Sequence, residues 1–210
     1  MCNLYRQKSG PQAIMDAAKA MSSQVGNLAP GDVYPDYVAP IVRMEDDERV
    51  LASARWGLPS SPFALEGKKT DKGVTNVRNT SSPHWRRWLM PARRCLVPFD
   101  AFSEPGRDAE GKYRPVWFGL TQDRHEPPAF FAGIWVPQWT SVRKLKEGEV
   151  TADLFAFLTT EPTEPVKSVH PKAMPVILTE PAEFETWLRA DWSEAIALQR
   201  PLPAGTLEII

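Results

Sequence analysis

Ile41-Val42-Arg43-Met44, then Glu45-Asp46-Asp47-Glu48, then Arg49-Val50-Leu51-Ala52-Ser53-Ala54-Arg55-Trp56: two apolar segments stand on either side of an acidic turn. In the second segment Val50, Ala52, Ala54 and Trp56 alternate with Leu51, Ser53 and Arg55. That two-residue period is the pattern of a strand with one face buried. Strands are therefore expected at Ile41–Met44 and Val50–Trp56.

Working outward, further short apolar runs are expected to be strands at Arg94–Phe102, Arg114–Leu120, Phe130–Val136, Leu154–Thr160 and Met174–Leu178. Met1–Tyr5 reads as a terminal strand or buried tail, and the chain from Pro201 as extended. Ile14, Ala17, Ala18 and Met21 recur at three and four, so a helix is expected over Pro11–Met21. Others are expected at Pro83–Leu89, with proline at its start, and at Glu183–Arg189 and Ser193–Arg200. Gly26–Pro40 is rich in turn residues, residues 59–75 form a polar loop, and Gln138–Val150 is polar enough for a surface loop. Seven or more short strands with few helices imply an α+β fold on a mixed or antiparallel, barrel-like sheet. The 21 prolines, spread along the chain, fit many turns. The strand–helix alternation of a doubly wound fold is missing. So are a P-loop, a GxGxxG fingerprint and a GxSxG elbow, which removes nucleotide-driven and triad-hydrolase chemistry together.

With 210 residues, 42% hydrophobic and 24% charged, the chain has the balance of an ordinary globular protein and is expected to form one domain, 1–210. No apolar run approaches the roughly 20 residues of a membrane span, and from its first residues no signal peptide is expected. A cytoplasmic monomer is the expectation. The net charge of −1 offers no general attraction for nucleic acid, so any DNA-binding charge must be local. Cys2 and Cys95 belong to no CxxC pair, and His84, His125 and His170 are scattered; neither metal nor cofactor is implied.

Cys2 is the most informative position. A small second residue allows removal of Met1, which would leave an α-amine and a thiol on one residue. The amine titrates near 7.7–8.0, roughly two units below a lysine, so a useful fraction is free base at neutral pH. Such an aminothiol condenses with an aldehyde to an imine, and the sulfur then closes a five-membered thiazolidine. By itself Cys2 is more often an incidental cysteine near a terminus.

The surrounding motifs raise that reading. Met1-Cys2-Asn3-Leu4-Tyr5, Arg55-Trp56-Gly57-Leu58, Asn76-Val77-Arg78, Arg94-Cys95-Leu96-Val97-Pro98 leading to Phe102-Ser103-Glu104, and Val169-His170 leading to Met174-Pro175-Val176-Ile177-Leu178 follow one another in order. Together they resemble the SRAP family, the SOS response-associated peptidase-like or abasic-site processing proteins. The resemblance implies single-stranded DNA carrying an abasic site as partner, a covalent link through Cys2 and self-removal of Met1; collapse of the imine by β-elimination would add a weak lyase activity. It further implies that Asn76 holds the N-terminal residue and the opened sugar, that Glu104 and His170 move protons, that Arg78 binds phosphate, and that Trp56 lies against bases. Association with the nucleoid would follow from DNA binding.

The chemistry wants the same residue types. Opening a hemiacetal needs an acid and a base, which a carboxyl and an imidazole can divide. An arginine fork suits phosphate. Trp85-Arg86-Arg87-Trp88, with Arg93-Arg94, interleaves aromatic and base as a single-strand surface does, although a helix with one buried tryptophan and solvated arginines would read the same way. The bland alternatives are a turn glutamate at 104, a half-buried His170, an Asn76 that caps a turn and a core Trp56.

The chain also departs from the family pattern. Leu4 stands where many members have arginine, Asn79-Thr80 follows the Asn-x-Arg motif, and Pro105 follows Glu104. One extra residue separates His170 from Met174-Pro175, with Lys172 where arginine is common. Two rival functions remain: a cysteine peptidase with Cys2 as nucleophile and His170 as base, and a non-enzymatic single-strand binder in which Cys2 is dispensable.

Overall fold

The computed structural model describes residues 2–108, 110–121 and 128–210. Met1 and His125 lie outside the described residues. In chain order the strands are β1 Tyr5–Gln7, β2 Ser22–Ser23, β3 Gly31–Val33, β4 Val38–Glu45, β5 Glu48–Trp56, β6 Asn76–Val77 and β7 Arg94–Phe99. They continue with β8 Ala101–Arg107, β9 Tyr113–Leu120, β10 Ala129–Val142, β11 Glu149–Thr160, β12 Met174–Pro175, β13 Ile177–Leu178 and β14 Leu207–Ile209. The helices are α1 Pro11–Ala18, α2 Pro62–Leu65, α3 Pro83–Arg86, α4 Val166–Val169, α5 Pro181–Arg189 and α6 Trp192–Ala195.

The β4–β5 hairpin forms as its sequence requires. Glu45 pairs with Glu48, so Asp46 and Asp47 are the two turn residues, with φ of 45° and 65°. Positive φ at both positions matches the right-handed twist of the strands, and aspartate tolerates it better than most side chains. From this hairpin a ring closes. β4 pairs antiparallel with β7, β7 with β10 and β10 with β11, and β11 returns to β5 in parallel, Leu154 opposite Arg55 and Phe155 opposite Trp56. This is the barrel-like sheet, mixed because β11 meets β5 and β6, and β2 meets β5, in parallel. A second sheet, ordered β14-β9-β8-β1-β3, lies beside it.

Alternate residues of the barrel strands feed two cores. Ala52, Ala54, Trp56, Val97 and Phe131 meet Cys2, Tyr5, Phe102 and Phe118 of the second sheet. Leu51, Leu96, Ala132 and Ile134 meet Ile14 and Ala18 of α1 and Phe184, Trp187 and Leu188 of α5. β5 is therefore buried on both faces, not one. Arg55 is buried too, because its guanidinium is paired with Asp36 and Glu147.

Several boundaries differ from expectation. Gln138–Val150 is no loop: β10 runs to Val142 and β11 starts at Glu149, with Trp139 opposite Ala152 and Thr140 opposite Thr151. Its polar residues belong to the exposed end of a long hairpin, where one face meets water. Arg94–Phe102 is two strands. Asp100 breaks the run by accepting from the backbone of Lys8, and the chain passes there from the barrel to the second sheet. α1 stops at Ala18 because Lys19 turns left-handed, and α6 gives way to a tight turn at Ile196–Leu198.

Candidate active site at the chain start

β1 lies between β3 and β8, and its pairing continues past Tyr5: the Ser103 N–H donates to the Leu4 carbonyl at 2.9 Å. The segment before Tyr5 thus runs along β8 toward Glu104. Cys2 ends there with no exposed surface, its Sγ 3.4 Å from the Leu4 carbonyl oxygen. Burial pushes the thiol far above its ordinary range, and the nearby Glu104 charge adds to the rise.

β6 places Asn76 in parallel register opposite Phe157 of β11. The Asn76 Nδ2 donates to the Cys2 carbonyl at 2.8 Å and to Thr75 Oγ1 at 2.8 Å. Thr75 Oγ1 in turn donates to Asn3 Oδ1 at 3.1 Å. Only the nitrogen end of the amide can serve the Cys2 carbonyl, so its Oδ1 faces the other way. Among the described residues that buried oxygen has no hydrogen-bond donor. Thr75 was not singled out from sequence; a hydroxyl beside Asn76 was its only signal.

Glu104 sits on β8 opposite Val116 of β9, with a side chain that has no exposed surface. Burial raises its carboxyl above the ordinary carboxylate range, opposed by neighbouring positive charge that includes His170. His170 caps the C-terminal end of α4. Its Nδ1 donates to the Ala173 carbonyl at 2.9 Å and lies 3.7 Å from Glu104 Oε2. With the Nδ1 proton held by a carbonyl, the lone pair of a neutral ring is on Nε2. This bond closes the exposed Pro171-Lys172 bend. A groove of about 390 Å³, walled by Pro105, Gly106, Val116 and Val169, opens beside the pair.

The remaining candidates lie apart. Trp56 corrects the expectation of a base-stacking surface: it is wholly buried, packed against Tyr5, Phe155 and Phe157, with Nε1 donating to the Thr75 carbonyl at 3.0 Å. Its position in a strand buried on both faces is the reason. It supports the site from beneath, through Thr75. Arg78 is exposed and pairs with the exposed Glu161 at 3.1 Å. Arg86 and Arg87 are exposed on and just after α3; Arg87 lies 4.2 Å over the Trp88 ring, and Arg86 lines a separate cavity of about 560 Å³ with Leu89, Met90 and Trp192. Arg94 is fully buried, its pKa lowered to about 10 by burial against the pull of Asp191. It is no part of a DNA surface.

Among the described residues no cluster of three His, Cys, Asp or Glu side chains could hold a metal, and no helix is long and apolar enough to cross a membrane.

The fold has solved counterparts. A protein from Bordetella bronchiseptica is 24% identical with a TM-score of 0.72, covering 100% of this chain and 99% of its own. One from Bacteroides thetaiotaomicron is 19% identical with a TM-score of 0.73, covering 100% and 92%. A phage-related protein from Bordetella bronchiseptica is 21% identical with a TM-score of 0.67, covering 100% and 93%. No curated protein matches the chain. The family model for SOS response associated peptidase matches residues 1–210, which supports a peptidase-like function associated with DNA damage. The chain belongs to the SRAP family.

Proposed function

We propose that this protein, once Met1 is removed, binds single-stranded DNA at an abasic site and links to it through Cys2. The observation that carries the reading is the way the first residue is held. Asn76 grips the Cys2 carbonyl with Nδ2 while its buried Oδ1 has no donor among the described residues, a place an α-amine would satisfy.

The bonds would change as follows. The α-amine of Cys2 adds to the C1′ aldehyde of the open sugar, and loss of water gives an imine. The thiol then adds across the C=N bond, sulfur to carbon and proton to nitrogen, closing a thiazolidine with no other reactant. Glu104, whose carboxyl burial raises above the ordinary carboxylate range, and His170 are suited to donate to the ring oxygen and accept from the hydroxyl as the sugar opens. The same imine acidifies C2′. Loss of that proton would expel the 3′ phosphate by β-elimination and cut the strand, a weak lyase activity. Removal of Met1 would be hydrolysis of one peptide bond within the chain. Single-stranded DNA, a monomeric protein, no cofactor and a cytoplasmic place, on the nucleoid when bound, complete the proposal. Arg78, Arg86 and Arg87 are the exposed cations offered for phosphate.

The family description contains the word peptidase, and one rival is a peptidase acting on other proteins. A thiol with no exposed surface, whose proton is held more tightly by burial, is a poor nucleophile toward an external peptide.

The test is incubation with an abasic single-stranded oligonucleotide followed by intact mass measurement. A product at the sum of DNA and Met1-free protein less one water, stable to boiling in detergent, is expected. Cys2→Ala should lose it yet still be trapped in part by borohydride. A chain fully retaining Met1 that crosslinks equally well would overturn the mechanism, because its Cys2 nitrogen is an amide. Cleavage of a peptide library by a chain inert toward abasic DNA would favour the rival.

A further inference from the structure

Burial of Trp56 removes one candidate for the aromatic surface that an unpaired strand needs. Two tyrosines nearby offer one. Tyr34 and Tyr37 are 45% and 55% exposed, and Val38 beside them is 68% exposed. Their ring centroids are 5.5 Å apart and the planes are inclined by 57°. Contiguous exposed apolar groups, unlike singly scattered ones, mark interaction sites.

Their position is set by the sheet. Tyr5 pairs with Val33 and Arg6 with Asp32 across β1 and β3. One more step in that register puts Tyr34 opposite Leu4, two residues from Cys2 and on the side of the segment away from β8 and Glu104. The pair therefore flanks the start of the chain on the edge that the catalytic carboxyl does not occupy.

Their mount is rigid. The Tyr37 N–H donates to the Tyr34 carbonyl at 3.1 Å, closing the turn, and Asp36 within it takes a φ of 75°. The Asp36 carboxylate is gripped by both arms of the Arg55 fork, at 2.6 and 2.7 Å, and by Lys144 at 2.8 Å. The backbone on both sides is tied to Trp56: Asp36 N–H donates to its carbonyl and Tyr37 accepts from its N–H, each at 2.8 Å. A turn bearing exposed tyrosines is thus bolted to the residue that supports Thr75 and Asn76.

We propose that Tyr34 and Tyr37 form a base-stacking platform for the nucleotides beside the abasic gap. This rests on the reading of the site as one for abasic single strands. At such a gap the neighbouring bases have lost a stacking partner and present bare faces. Tyrosine supplies a π-face with few torsions to freeze, and stacking accepts any base. Two rings inclined by 57° cannot lie on one base plane, so each takes its own base. The cations of the turn are already committed to Asp36, so the platform holds bases and leaves phosphates to arginines elsewhere.

The test uses oligonucleotides with one non-reactive tetrahydrofuran lesion, either between normal bases or between further abasic spacers that keep the backbone and remove the bases. Wild type should bind the first more tightly than the second. Base–aromatic stacking is worth about 1–3 kcal/mol, so Tyr34→Ala and Tyr37→Ala should each lose about 5- to 160-fold in affinity for the first only. Tyr34→Phe and Tyr37→Phe should retain it. A 2-aminopurine beside the lesion should be quenched by wild type and recover fluorescence with the alanine variants. Alanine variants that melt and bind like wild type would overturn the platform alone, leaving covalent adduct formation with a reactive abasic strand unaffected as a reading. Phenylalanine variants as weak as the alanine ones would overturn stacking in favour of a hydroxyl contact. Failure of wild type to bind or crosslink abasic strands at all would overturn both proposals.

Discussion

Replacing Trp56 by alanine separates support from surface. The indole has no exposed area, meets Tyr5 and Phe157 at centroid distances of 5.1 and 5.3 Å, and donates to the Thr75 carbonyl at 3.0 Å. Truncating a buried tryptophan costs about 3–5 kcal/mol, part transfer and part cavity. For a chain of this size each kcal/mol lowers Tm by about 2–4 °C, so the expected fall is about 6–20 °C. Trp56→Phe keeps a ring in the space but leaves the Thr75 carbonyl without its donor, at about 1–3 kcal/mol or about 2–12 °C. The assay is a thermal scan without DNA, followed by crosslinking well below the lowered Tm. Because Thr75 also holds Asn76 and Asn3, both variants should form adduct more slowly even where they are folded. The reasoning is refuted if Trp56→Ala melts within about 2 °C of wild type, well inside the predicted fall, while losing affinity for DNA. That outcome would return Trp56 to a surface.

Glu104 gives a prediction with opposite signs for stability and rate. Burial raises its folded pKa above the unfolded value of about 4.3, so the native state binds the proton more tightly and stability falls as pH climbs from that value through the folded pKa. Glu104→Gln should therefore melt higher than wild type at neutral pH, with the difference vanishing below about pH 4, while adduct formation slows by about 10²–10⁴-fold. A variant destabilised at neutral pH would contradict the buried-charge account. Among the described residues the Arg78 guanidinium is held by an exposed pair with Glu161, a contact worth about 0–1 kcal/mol. Arg78→Ala should leave Tm nearly unchanged and lower the slope of log affinity against log salt by about 0.7; an unaltered slope would take Arg78 off the DNA surface.

How much could be read in advance divides along physical lines. Strands with a strict period or a dense apolar run, such as Val50–Trp56 and Phe130–Val136, are found where the pattern puts them, because local pleating and burial agree. Gln138–Val142 was misread because a strand facing water on one side has the composition of a loop. The closure of β5 on β11 was invisible: a parallel seam joins residues nearly a hundred positions apart and leaves no local mark. Trp56 was misplaced for a related reason. Alternation tells that a residue points to one face, but not that both faces of its strand are covered. Among the site residues, Cys2, Asn76, Glu104 and His170 were each ambiguous alone. What brings them together is tertiary: β1 beside β8, β6 beside β11, and α4 against β8. Tyr34 and Tyr37 fell in a stretch read only as turns, because exposure and rigidity are not properties of a residue type.

On the proposed mechanism, burial also fixes the order of events at Cys2. A thiol whose proton is held far more tightly than usual cannot begin the reaction as thiolate. The α-amine has no such handicap, since its unperturbed pKa is about 7.7–8.0 and Asn76 already orients its residue. Attack by nitrogen is therefore the expected first step. Imine formation then changes the electrostatics of the pocket: a protonated imine next to the thiol favours the sulfur anion that neutral surroundings disfavour, and Glu104 is close enough for its charge to be felt by that thiol. The carboxyl that raised the thiol's pKa in the resting protein can take its proton once the positive charge arrives. Ring closure consumes that charge, so the product is a neutral ring in a buried place, where neutrality costs least. A resting thiolate would instead be exposed to oxidation and to other electrophiles. The depth of Cys2 thus restricts its reactivity to an aldehyde that has already met the amine.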